Sequence, residues 1–205
     1  MTVIQAAILG LLQGLTEFLP ISSSGHLVIA QHFLNVSDGG LFFEVLLHCG
    51  TLAAVVVAFW QDLLELLRKP FQKYTYLLIA GTIPTGIIGL TFKGPFERLF
   101  NSVTTVGYML LITGVILIIA EYVSRTIFGS RRLNYWQAVI IGLAQGLAIT
   151  SGISRSGTTI ATGLLVGLER TEAAKFSFLL SIPAIVGASV VEGKDIVLSQ
   201  AVNAS

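Results

Sequence analysis

Charged side chains are what this sequence has least of. Only 11% of its 205 residues are Asp, Glu, Lys or Arg, against about 25% in ordinary soluble domains, which excludes a water-facing surface of normal polarity. Its twelve basic and eleven acidic residues leave a net charge of +1. They form no Lys/Arg cluster, so a nucleic-acid partner, which needs phosphate neutralisation, is excluded. Cysteine occurs once, at Cys49 inside an apolar run. No intrachain disulfide can form, the redox compartment stays unread, and the residue reads as packing. The first basic residue is Arg68, so the positive region that opens a secretory signal is missing and the N-terminus reads as mature sequence.

Hydrocarbon fills the space that charge leaves. Hydrophobic residues make up 54% of the chain and its mean hydropathy is +0.84, which predicts an all-α integral membrane protein. Crossing a bilayer takes about 20 apolar residues. Four runs are long enough, at 42–60, 74–92, 103–121 and 173–191. Two further apolar regions are interrupted midway: 3–34 at Pro20 to Gly25, and 135–168 at Ser151 to Gly157. Each half is too short to span, so both regions read as re-entrant helix-loop-helix segments.

The broken regions match each other. A shift of 132 residues aligns Gln5, Ala6, Gly10, Gln13, Gly14, Leu15, Ile21, Ser22, Ser24 and Gly25 with identical residues from Gln137 to Gly157. The chain is thus read as one transmembrane domain, 1–205, with repeat 1 over about 3–121 and an incomplete repeat 2 over about 135–205. Arg68, Lys69 and Lys73 in one link, and Arg125, Arg131 and Arg132 in another, mark the cytoplasmic side; the link at 93–102 holds only Lys93 and Arg98 and belongs outside. On that assignment the second broken region enters from the cytoplasm and the first from outside. The repeats are inverted, an arrangement that puts ligand sites near the midplane where the breaks meet.

Each break opens a new helix behind a serine-rich turn, Ser22-Ser23-Ser24-Gly25 and Ser154-Arg155-Ser156-Gly157. Serine N-caps leave hydroxyls and backbone N–H groups pointing into the break, and two positive helix ends in a low dielectric suit an anion, phosphate above all. Arg155 would cost roughly 2.5–3.5 kcal/mol at mid-membrane without compensation. Its partner is either a phosphate held by the guanidinium fork or Glu17 in a structural bridge. Gln13 lies one turn before Glu17, so the two can hold a divalent cation, Mg²⁺ or Ca²⁺, or orient a water. Ser23 and His26 are three residues apart, which predicts a hydroxyl beside its base; Ser23, His26 and a water all stay open as nucleophile. Glu44, His48, Gln31 and His32 read as hydrated or interfacial, and Glu121 as a helix-end anchor.

The stretches "LLQGLTEFLPISSSGHLV", "FEVLLHCGTLAAVVVAFW" and "SGISRSGTTIATGLLVGLERTEAAKFSFLLSIPAI" resemble the undecaprenyl-diphosphatase family known for bacitracin resistance, over nearly the whole chain. The resemblance implies a bacterial inner-membrane hydrolase that converts undecaprenyl diphosphate to undecaprenyl phosphate, the lipid carrier recycled for peptidoglycan synthesis. The family's motifs fall on Gln13 and Glu17, on Ser23 and His26, and on Ser154, Arg155 and Ser156; with the residue reading above, Glu17, Ser23, His26 and Arg155 are expected to be catalytic, Gln13 and Glu17 to hold the metal, and Ser22, Ser24, Gly25, Ser154, Ser156, Gly157 and Thr158 to contact substrate. The partners implied are the polyprenyl diphosphate substrate and membrane lipid, with a homodimer kept as an option for assembly. The family fold has about six spans and two inverted re-entrant segments, its site facing the periplasm. Two departures stand out. Ser151 takes the place of the motif's proline, and the family continues for about two more spans, as repeat symmetry also asks; on that reading the chain is a truncated product or a fragment. A transporter or flippase of a phosphorylated polyprenyl lipid, or an inactive truncated paralogue, are the alternatives.

Overall fold

The computed structural model describes residues 1–36, 40–92, 94, 102–126, 132–150 and 152–203, without the side chains of 40–42, 192 and 195–203. Lys93, Arg98, Arg131 and Ser151, named above, lie outside the described residues.

Among the described residues all regular secondary structure is helical. Helix α1 (Val3–Thr16) and α2 (Ser23–Phe33) form the first broken region, and α7 (Tyr135–Leu147) and α8 (Arg155–Leu165) the second. Between them run α3 (Gly40–Ala58), α4 (Trp60–Arg68), α5 (Lys73–Thr91) and α6 (Val103–Ser124); α9 (Arg170–Asn203) follows the second. Helices α5 and α6 and the Arg170–Val191 part of α9 are long and apolar enough to cross a membrane, and Phe43–Ala58 with Trp60–Arg68 meets the same measure only when the bent pair is taken as one span.

One expected run differs. The apolar stretch 42–60 breaks at Phe59, where φ −105° and ψ 23° leave the helix and α4 departs at 76°. Beyond Phe59 the pattern becomes two-sided, Trp60, Leu63, Leu64 and Leu67 against Gln61, Asp62, Glu65 and Lys69, so the chain gains more by turning along an interface than by continuing through hydrocarbon.

The 132-residue repeat is carried into local geometry. Thr2 and Gln5 form a capping box at the start of α1, and Asn134 and Gln137 form the same box at the start of α7. Each glutamine then donates across its hairpin, Gln5 Nε2 to the Leu34 carbonyl at 3.1 Å and Gln137 Nε2 to the Val166 carbonyl at 2.8 Å. The open ends of both hairpins are thereby closed in equivalent ways, and each region returns to the side it entered from.

Contacts fix the relative direction of the hairpins. Helix α7 runs alongside α5 in the same sense, Gly142 facing Gly81 and Gly146 facing Ile88. Helix α1 runs with α3, Gly10 meeting Leu47 and Glu17 sharing a cavity with Val55. Because α3 and α5 are joined through α4 and run opposite ways, α1 and α7 enter from opposite sides. The ends that charge placed together are also joined: Arg170 Nη1 and Nη2 grip both oxygens of Glu121 at 2.7 and 3.0 Å, and Lys175 Nζ meets Asp62 at 2.5 Å. Glu121 therefore clips α6 to α9 where a belt anchor was expected.

The core lies where α5, α7, α8 and α9 converge, around Leu77, Ala138, Ile141, Leu164, Phe176 and Leu180. The α5–α7 seam is the closest of these. A Cβ on Gly142 would stand 2.1 Å from the Gly81 carbonyl oxygen, so no side chain fits, and Thr85 Oγ1 donates to the Gly142 carbonyl at 2.8 Å while accepting from Gln145 Nε2 at 3.3 Å. In the first repeat Gly14 takes the place of Gly146 with nothing within 4 Å.

Candidate active site

The two breaks meet. A Cβ on Gly157 would lie 3.0 Å from the Pro20 carbonyl oxygen, and one on Gly25 would lie 3.2 Å from the Gly152 Cα. Ser156 Oγ also donates toward the carbonyls of Glu17 and Leu19, at 3.3 and 3.2 Å. Two helix N-termini thus converge on the residues that end α1, and their partial positive charges add at one place.

Each break is built by its own serine cap. Ser22 Oγ accepts the Gly25 N–H at 3.3 Å and Ser154 Oγ accepts the Gly157 N–H at 3.0 Å, and in both turns the cap hydroxyl lies 3.3 Å from that of the serine two residues on. Ser22 and Ser154 are 3% and 1% exposed. Their hydroxyls cap their own helices. The caps differ in backbone, for Ser22 has φ +65° where Ser154 has φ −71°, and left-handed strain of this kind in a non-glycine residue persists only where packing enforces it. In the second break the left-handed position is Gly152, φ +89°, where a Cβ would meet the Val106 carbonyl at 2.7 Å. Thr113 of α6 holds that turn, donating to the Gly152 carbonyl at 3.0 Å and accepting the Ser154 N–H at 3.1 Å.

Glu17 is the hub. Its Oε1 receives Arg155 Nη2 at 2.6 Å, while its Oε2 receives Gln13 Nε2 at 2.9 Å and a very short bond from Ser23 Oγ. The two side chains of the ion pair are 8% and 23% exposed, so the pair is shielded without being sealed. Arg155 spends one nitrogen on Glu17 and makes no hydrogen bond from its others to a described residue. The two roles weighed for it are therefore compatible, since a bridge to Glu17 leaves donors over for an anion. His48 of α3 places its Nδ1 2.8 Å from the Glu44 carbonyl.

The expected Ser23–His26 pair is corrected. Ser23 turns back across the break to Glu17, and His26 Nδ1 lies 2.8 Å from the Ser22 carbonyl. A carbonyl only accepts, so Nδ1 carries a proton and Nε2 is the nitrogen left for proton exchange. Gly25 and Gly157 are buried at the helix starts, and Thr158, the repeat equivalent of His26, has a buried Oγ1 with no hydrogen-bond partner among the described residues. Gln13 is 1% exposed and its Oε1 is likewise unpartnered. Sequence reading missed Thr113 and the buried Thr159–Ser177 hydroxyl pair, 2.5 Å apart between α8 and α9. Hydroxyls on apolar helices carry no pattern; only proximity in space reveals them.

Fold and site together define a multi-pass helical membrane protein whose polar centre is enclosed where two inverted re-entrant hairpins abut. Residues 6–205 match the family model described as bacitracin resistance protein BacA, and the chain belongs to that family. It is 50% identical over 193 residues to an undecaprenyl-diphosphatase of Carboxydothermus hydrogenoformans, covering 94% of this chain and 74% of the relative. It is 48% identical over 197 residues to one of Halothermothrix orenii, covering 95% and 76%, and 43% identical over 216 residues to one of Methanosphaera stadtmanae, covering 95% and 78%.

Proposed function

We propose that this chain hydrolyses the phosphoanhydride of undecaprenyl diphosphate, giving undecaprenyl phosphate and orthophosphate, and thereby supports lipid-carrier recycling and resistance to bacitracin. Family membership and the relatives' names support the reaction. The observation that carries the site is Glu17 bonded at once to Ser23 and Arg155.

In this reading the spare Arg155 donors, the α8 N-terminus and Ser156 hold the diphosphate; Ser24 and Thr158 stand at its edge. Ser23 Oγ attacks the terminal phosphorus and passes its proton to Glu17 Oε2. The bond from that phosphorus to the bridging oxygen breaks, and the polyprenyl monophosphate leaves. A water then attacks the phosphoserine and gives its proton to His26 Nε2, while Oγ recovers the proton from Glu17 as orthophosphate departs. Fixed donors aimed at the phosphoryl oxygens would supply most of the acceleration.

Gln13 and Glu17 would hold the divalent cation. The unpartnered Gln13 Oε1 is a hard oxygen beside a carboxylate, which is the donor type Mg²⁺ and Ca²⁺ take. The ion would supply charge neutralisation on the diphosphate. The side bearing Arg68, Lys69 and Lys73 is read as cytoplasmic and the membrane as the bacterial inner membrane, with the site reached from the periplasmic side.

Phosphate release from a polyprenyl diphosphate by the purified chain in liposomes tests the reading. Ser23→Ala should lower it by more than roughly a hundredfold with the fold retained. Undiminished release would remove Ser23 from the chemistry.

A further inference from the structure

A threonine inside an apolar helix ordinarily returns its hydroxyl to the carbonyl one turn back. Thr16 does so to Leu12 and Thr82 to Leu78, each at 2.7 Å. Thr113, midway along α6 and buried, spends its hydroxyl on another element, donating to the Gly152 carbonyl at 3.0 Å and accepting the Ser154 N–H at 3.1 Å. One oxygen thus grips the backbone on both sides of Ile153, and the residue that follows Ser154 is Arg155.

The grip depends on how closely the turn lies on α6. A Cβ on Gly152 would stand 2.6 Å from the Met109 Cβ and 2.7 Å from the Val106 carbonyl oxygen, so any side chain there would lift the turn away from the hydroxyl. With Ser151 in place of the motif's proline, the sequence also lacks the ring that would fix the backbone before Gly152, and the two hydrogen bonds to Thr113 hold the turn instead. On its other side Arg155 is braced from α9: Thr159 Oγ1 lies 2.9 and 3.1 Å from the carbonyl oxygens of Arg155 and Ser156 and pairs with Ser177 Oγ. The guanidinium spends only Nη2, at 2.6 Å, on Glu17, so the aim of its other donors follows from where its backbone is mounted.

We propose that Thr113 is a positioning residue for Arg155: by fixing the turn from Gly152 to Ser154 it sets the direction of the guanidinium donors that hold the diphosphate. The proposal rests on the hydrolysis reading above for the identity of that anion. Thr113 itself touches no substrate atom, and α6, which supplies no reacting group, becomes part of what makes the clamp accurate. A misplacement of about 1 Å at such a site can cost on the order of a hundredfold.

Thr113→Val keeps the shape of the side chain and loses both hydrogen bonds, whereas Thr113→Ser keeps both. Calorimetric titration of the purified chain with inorganic diphosphate, well below the melting temperature of every variant, reads the clamp without turnover. The Kd should rise about tenfold or more in the valine variant and stay within about twofold in the serine variant. Arg155→Lys removes the fork however it is mounted, so adding Thr113→Val to it should weaken binding by less than about a further twofold. A residue that served the fold alone would lower the melting temperature and leave Kd unchanged in folded protein. That result would overturn the proposal, as would equal losses in the serine and valine variants, a full further loss in the lysine background, or no diphosphate binding by the unaltered chain. Phosphate release from farnesyl diphosphate is measured on the same preparations: binding without release counts against the hydrolysis alone, and the Kd values still decide the role of Thr113.

Discussion

Removing either partner of the Glu17–Arg155 pair should destabilise the protein, and removing both should cost little more than removing one. The pair joins residues 138 apart in the chain and ties the two repeats together. Losing one partner of a buried pair costs about 3–5 kcal/mol; Arg155 is 23% exposed, and water reaching it lowers that to about 2–3 kcal/mol. Arg155→Ala leaves Glu17 to Ser23 and Gln13, and Glu17→Gln leaves a cation facing an amide. At about 2–4 °C per kcal/mol for a chain of this size, each single variant should melt roughly 4–12 °C lower in detergent. The double variant should fall by about the same amount, a coupling of about 2 kcal/mol. Additive losses would refute the pairing. Arg155→Lys separates the two roles of the residue: one ammonium can replace the single Nη2 bond to Glu17, so melting should be nearly unchanged, but the fork that would hold phosphate is gone and release should drop steeply. Full activity in the lysine variant would show that Arg155 serves the fold alone.

Gly142→Ala should destabilise by about 1–3 kcal/mol or more, since the added carbon would sit 2.1 Å from the Gly81 carbonyl oxygen, whereas Gly14→Ala, with open space around it, should melt within about 1 °C of the parent; equal effects would contradict the α5–α7 seam. For orientation, single cysteines at the exposed Asn35 and Asn134 in a Cys49→Ala background, needed because Cys49 is itself exposed, should react with an impermeant thiol reagent from opposite sides of the membrane. Labelling from one side only would overturn the inversion.

The repeat and both breaks were legible because they are written in residues with local meaning. Gln5 and Gln137 keep their capping boxes and Ser22 and Ser154 keep their caps whatever surrounds them, so identity in sequence became identity in geometry. Long apolar runs likewise announced their spans. What could not be read was anything decided across the chain. Spacing put Ser23 near His26, and only the fold of the break turned its hydroxyl to Glu17. Arg170 gripping Glu121 spans 49 residues, and Thr113 pinning Gly152 spans 39; neither leaves a periodic trace. The bend at Phe59 was hidden for another reason, since a run of 19 apolar residues reads the same straight or broken.

The repeat also explains how one scaffold presents two unlike chemistries at a single point. Position 23 in the first hairpin corresponds to 155 in the second, and 26 to 158, so equivalent positions carry Ser23 and Arg155, and His26 and Thr158. Two separate copies of one hairpin, paired head to head, would have to offer two serines or two arginines. Joining them in one polypeptide lets the halves diverge while their caps and hairpin closures stay matched. Symmetry then survives as engineering tolerance in the backbone, and its breaking at a few side chains is what makes a polarised reaction path available, with a donor on one flank and a clamp on the other.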